Sequence, residues 1–185
     1  MKLTQIEGSR TVGKSYLIEQ SKIPSYKFPF VDYFNNFILN DDFKESNKNL
    51  NAYYFSNGFD ITLLDMNSKR LANTDIIYDR GFLSNIVLGI LGDRINIDDG
   101  KKYIDFLLNK NYLNNVRIIQ VKSNKQIDDR NKDKWEVLDY EKSEWLYDIF
   151  NMYILEQSPS FEYITYFNKK QKQDIKNFKK IIKQK

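Results

Sequence analysis

Residues 8–15 read Gly-Ser-Arg-Thr-Val-Gly-Lys-Ser: a glycine, four residues, then Gly-Lys-Ser. Each type has a chemical use at this spacing. Gly8 and Gly13 let the backbone curl so that successive N–H groups converge on one anion. Lys14 brings an ammonium to the β- and γ-phosphates of a nucleotide. Ser15 brings a hydroxyl to the Mg²⁺ that bridges them. Ser9, Arg10, Thr11 and Val12 complete the curl, so residues 8–15 form a candidate ATP-binding loop. A helix opening at its end would aim a positive terminus at the same anion. The bland alternative is a Gly/Ser turn with a stray lysine. The context argues against it: residues 2–7 alternate as a short strand, and Ser15–Gln20 can form a helix.

A second pair with chemical potential is Asp79-Arg80, at the end of an apolar segment, Ile76-Ile77-Tyr78. An acid there, on a strand beside the phosphate-loop strand, can hold Mg²⁺ through water or take a proton from an attacking hydroxyl. Arg80 can neutralise phosphate charge. The competing reading is a surface turn.

Strands and helices must place these groups. Residues 26–33 read as a second strand, and Pro29, which cannot donate to a ladder, places it at an edge or near its end. Residues 35–49 suggest a loop or a short helix, and 50–72 a long helical segment. Strand 74–81 precedes helices 82–91 and 97–111, the latter with Asp98 or Asp99 near its N-cap. A buried strand follows at 116–121, then a densely charged loop at 122–134. Helix 135–157 has Trp135, Leu138, Trp145, Ile149 and Met152 as apolar anchors. A last strand at 161–167 leads to a final helix in which Ile175, Phe178 and Ile182 form a packing stripe. The alternation implies one α/β domain over residues 1–185: a three-layer phosphate-loop NTPase fold with a parallel five-stranded sheet and helices on both faces.

Composition narrows the chemistry. With 185 residues, 41% hydrophobic and 29% charged, the chain reads as one globular domain without a membrane span. The first strand follows Met1 at once, which leaves no room for a removable leader; the expected location is the cytoplasm. The chain has no Cys and no His, so disulfides, thiolate metal sites and histidine bases are out. Acid–base work falls to Asp, Glu, Lys or Tyr. Net charge is +4, yet residues 169–185 alone carry +7, leaving 1–168 at −3. Basicity is therefore a feature of the C-terminal lysines. Abundant Lys, Asn and Ile also suit an AT-rich genome, such as that of a phage or low-GC bacterium.

The early GxxxxGKS, the Asp79-Arg80 pair closing the third strand, and a late charged loop before a long helix together resemble the thymidylate kinase and deoxynucleoside kinase group. The resemblance implies a P-loop kinase using ATP and Mg²⁺. Asp79 would activate or orient the acceptor and, with Ser15, manage the metal. Arg80 would contact phosphate. Segment 122–134 would be a lid, with Arg130 stabilising transition-state charge. Lid relatives often carry more arginines, and Lys125, Lys132 and Lys134 lack their fork. Asp32 matches the acid that holds sugar hydroxyls at the end of strand two. Tyr54, among the aromatics Phe28, Phe30, Tyr53 and Phe55, is a candidate base-stacking residue; core packing is the simpler use of most of them. Kinases of this group are often homodimers, though no residue here identifies an interface.

Three functions stay open at this level. One is transfer of the ATP γ-phosphate to a nucleoside or nucleoside monophosphate. A second is a kinase acting on nucleic acid, at a 5′-hydroxyl end or a hydroxymethylated base, with the lysine tail tracking the backbone. A third is a non-catalytic ATP-binding protein. A GTPase is a poor fit, since Asn131-Lys132-Asp133 is one residue short of the guanine-reading pattern.

Overall fold

The structure, a computed structural model, describes residues 3–9, 12–27, 76–123, 140–169 and 171–183. The described strands are β1 (Leu3–Glu7), β2 (Tyr26–Lys27), β3 (Ile76–Asp79), β4 (Val116–Lys122) and β5 (Glu162–Phe167). The described helices are α1 (Lys14–Gln20), α2 (Phe82–Leu91), α3 (Ile97–Asn109), α4 (Tyr140–Gln157) and α5 (Lys172–Lys183). All four strand pairings are parallel, in the order β2-β3-β1-β4-β5. Four strands carry the sheet; the fifth, β2, is two residues at the edge, where Pro29 was expected to confine it.

The two-residue period of each strand divides the core. Leu3, Ile76, Tyr78, Val116 and Ile118 face one side, under α2, α3 and the Leu146, Tyr147, Phe150 and Ile154 stripe of α4. Ile6, Ile77, Ile119, Val121 and Tyr166 face the other, under Leu17 and Ile18 of α1 and Phe178 of α5. Helices thus lie on both faces, as alternation of strands and helices requires of a parallel sheet. Gly100 lets α3 approach closely, because a Cβ there would press on Phe150 and Ile86.

Several boundaries differ from the sequence reading. The α3 N-cap is Asn96, whose side chain accepts from Asp99 N–H at 2.8 Å, while Asp99 is the reciprocal partner of a capping box. Asp98 and Asp99 lie in the first turn, near the cap as expected, and the helix ends at Asn109 rather than 111. In α4 the expected anchors Trp145 and Met152 are 50% and 61% exposed. Apolar side chains ring this helix, so the period alone did not fix which stripe faces the sheet. Strand β1 alternates apolar and polar in sequence, and all five residues are buried, Thr4, Gln5 and Glu7 included. A central strand has no solvent face, so its polar side chains must find partners inside. Residues 28–75 and 124–139, which include most of the expected second strand, helix 50–72, Trp135 and nearly all of the expected lid, lie outside the described residues.

Candidate active site

The site gathers where β1 and β3 end side by side. Ile6 is paired with Asp79, and the loop after β1 runs straight into α1. Both loop glycines take backbone angles that favour glycine: Gly8 has φ 128° and Gly13 has φ 88°. Neither has room for a side chain. A Cβ on Gly8 would strike the Val121 carbonyl, and one on Gly13 would strike the Asn168 amide. Asn168, just beyond β5, braces the loop by donating to the Val12 carbonyl at 2.8 Å. From the other side, α4 touches the loop. Ser9 Oγ donates to Ser143 Oγ at 2.9 Å, and Ser9 N–H donates to Glu144 Oε1 at 3.3 Å.

Lys14 opens α1 and turns its ammonium back into the loop, donating to the Gly8 carbonyl at 2.6 Å and the Ser9 carbonyl at 2.5 Å. Burial, with added repulsion from Arg80, makes its proton much easier to lose than an ordinary lysine's; Asp79, Glu7 and Glu144 oppose that loss. Next to it, Ser15 Oγ donates to Asp79 Oδ2 at 2.7 Å. The other oxygen, Asp79 Oδ1, is buried with no hydrogen-bond partner. A serine hydroxyl beside a half-satisfied carboxylate is a hard-oxygen pair that suits Mg²⁺. Among the described residues no cluster of three or more acidic, histidine or cysteine side chains could hold a metal. A cation that keeps its waters and shares phosphate oxygens needs no such cluster.

Arg80 follows with φ 78°, a left-handed conformation that costs a side-chain-bearing residue about 1–3 kcal/mol. Its N–H donates to the Ile6 carbonyl at 3.0 Å, and its Nη1 to Ser84 Oγ at 3.4 Å. The turn is therefore pinned to β1 at one end and to α2 at the other.

The structure brings Gly8, Ser9, Val12, Gly13, Lys14, Ser15, Asp79 and Arg80 together at one end of the sheet. Arg10, Thr11, Asp32, Tyr54 and Arg130 lie outside the described residues. Sequence reasoning missed Glu7, Ser84, Tyr147 and Asn168. For Glu7 the signal was present: an acid on the central strand of a parallel sheet has nowhere to solvate.

Solved structures of similar architecture exist. Deoxyadenosine kinase from M. mycoides with bound dATP matches with a TM-score of 0.53 and 18% identity, over 100% of both chains. The fold is that of a deoxynucleoside kinase. The same enzyme with bound dCTP gives 0.52 at 20% identity, over 97% of this chain and 98% of that one. With the products dCMP and a flexible dCDP it gives 0.52 at 16% identity, over 98% of each. No protein-family model matches the chain, and no curated protein is significantly similar to it in sequence. No described helix is long and apolar enough to cross a membrane.

Proposed function

We propose that this protein transfers the γ-phosphate of ATP to a nucleoside or nucleoside monophosphate, with a deoxynucleoside as the first acceptor to try. The observation that carries the reading is the 2.7 Å contact between Ser15 and Asp79. It puts a strand-end carboxylate against the first turn of the helix that follows GxxxxGKS. The deoxyadenosine kinase structures, with their bound deoxynucleotides, support the choice of acceptor class.

In this reading the loop amides and Lys14 hold the donor phosphates, the ammonium exchanging the Gly8 and Ser9 carbonyls for phosphate oxygens. Ser15 and Asp79 would hold Mg²⁺, which supplies charge neutralisation at the β- and γ-phosphates. For a nucleoside, the acceptor hydroxyl oxygen bonds to the γ-phosphorus as the bond to the β–γ bridging oxygen breaks, ADP leaves, and the hydroxyl proton passes to the Asp79 carboxylate oxygen that is not holding the metal; for a monophosphate, an ionised phosphate oxygen attacks and no proton is transferred. Arg80, and Arg130 from segment 122–134, stabilise the equatorial oxygens. Asp32 and Tyr54 belong to the acceptor side of the same proposal.

The test is an ATP-consumption screen with deoxyadenosine, deoxycytidine, the other nucleosides, the nucleoside monophosphates and a short 5′-hydroxyl oligonucleotide. Turnover with one small acceptor is expected, with kcat lower by about 10²–10⁴ in Asp79→Asn. ATP binding without transfer to any acceptor would leave the non-catalytic alternative. Transfer to the oligonucleotide alone would replace the acceptor class.

A further inference from the structure

The first turn of α2 has an unusual cap. Gly81 precedes it in extended conformation and offers no side chain to its free N–H groups. Two side chains of β1 do so instead. Gln5 Oε1 accepts from Phe82 N–H at 3.3 Å, and Glu7 Oε1 accepts from Leu83 N–H at 3.1 Å and Ser84 N–H at 3.3 Å. Glu7 Oε2 accepts from the Ser84 hydroxyl. That hydroxyl has one proton, so Tyr147, 2.8 Å away, and Arg80 Nη1 both donate to its oxygen. One buried carboxylate thus collects the start of α2, the core of α4 and, through Ser84, the guanidinium of Arg80.

A neutral amide could keep the two backbone caps with its oxygen, as Gln5 does one pleat away, but its nitrogen could not accept from the Ser84 hydroxyl. The added feature of Glu7 is its charge, and its surroundings are cationic. Burial raises its hold on a proton above that of an ordinary glutamate, while Ser84, Arg80 and Lys14 oppose the rise, and Arg80 in turn makes the Lys14 proton easier to lose. Two cations stand at the phosphate loop before any phosphate arrives, and a negative charge beneath them lowers their mutual repulsion.

We propose that Glu7 is a positioning residue whose buried carboxylate, acting through Ser84, is the counter-charge that holds the Arg80 guanidinium at the phosphate site. The role in turnover rests on the kinase reading above; the role in charge balance does not. Removing the charge while keeping the shape leaves the pocket one unit more positive. The pocket then holds polyphosphate harder, while Arg80 loses its fixed place. A residue that merely caps a helix would do neither.

The experiment is Glu7→Gln, with ATP affinity, turnover and thermal midpoint measured side by side with wild type. The expected result is ATP bound threefold or more tightly, kcat down tenfold or more on the acceptor found in the screen, and a midpoint no lower than wild type. ATP affinity within twofold of wild type, or weaker, overturns the proposal. Wild type that turns over nothing, with Glu7→Gln still binding ATP more tightly, sinks the kinase reading and leaves the counter-charge standing. If Glu7→Gln does not fold, Ser84→Ala replaces it, since it cuts the link from Glu7 to Arg80. A change of threefold or more in ATP affinity then supports the proposal, and a value within twofold overturns it.

Discussion

Glu7 also governs how stability responds to pH. Burial raises its affinity for a proton above that of an exposed glutamate, whose ordinary value is 4.5; Ser84, Arg80 and Lys14 oppose the rise. The folded protein therefore holds the Glu7 proton more tightly than the unfolded chain, and protonation favours folding. This contribution is fully present below 4.5 and is lost as pH rises through the elevated folded value. In urea melts from neutral pH downward, wild type should gain stability relative to Glu7→Gln until about the ordinary value, then run parallel to it. A relative loss would mean that the fold prefers the ionised acid. The residues with the most constrained chemistry were legible in sequence: Gly8, Gly13, Lys14, Ser15, Asp79 and Arg80 come together. The burial of Glu7 had a signal in its strand, but its pairing with Ser84 did not, because a buried polar contact between residues 77 positions apart has no local pattern.

At the scale of elements, α4 is the instructive case. Its sequence is apolar on every side, and the side that packs is decided by the sheet. Phe150 is fully buried against α2 and α3. Phe150→Ala should cost about 3–5 kcal/mol in denaturant unfolding, as buried phenylalanine truncations do. Trp145, half exposed and five residues earlier, should tolerate alanine within about 0.5–1 kcal/mol. Equal losses at both positions would show that the helix is rotated from this description. Among the described residues helix existence was legible, because length, caps and breakers such as Ser158-Pro159 are local signals. Helix phase was not, because it depends on a surface that the helix does not encode. The α5 stripe was readable for the opposite reason: Phe178 and its neighbouring isoleucines stand against a background of lysine, so only one face can be buried.

For the whole molecule, the lysines of α5 sort by face. Asp174 and Phe178 are inside, while Lys172, Lys176, Lys180 and Lys183 are exposed. If ATP and a small acceptor are the substrates, the logarithm of affinity should fall gently with salt, since few counterions are displaced. A polynucleotide tracking these lysines would give a slope of several units, and titration at several salt concentrations separates the two. The fold class was legible from alternation alone; the strand order was not, because neighbours in a parallel sheet are rarely neighbours in sequence. That order has a consequence in time. β1, the first strand in the chain, is the centre of the sheet, and Leu3 pairs with Ile76 on one side and Val116 on the other. Both closures span long loops, which is slow and entropically uphill until the partners arrive. The phosphate loop occupies residues 8–15, but its walls come from β4, α4 and the turn after β5. During synthesis the earliest residues of the site wait longest, and a nascent chain stalled before residue 116 exposes a central strand, with Leu3, Ile6 and its buried polar side chains, that lacks one neighbour.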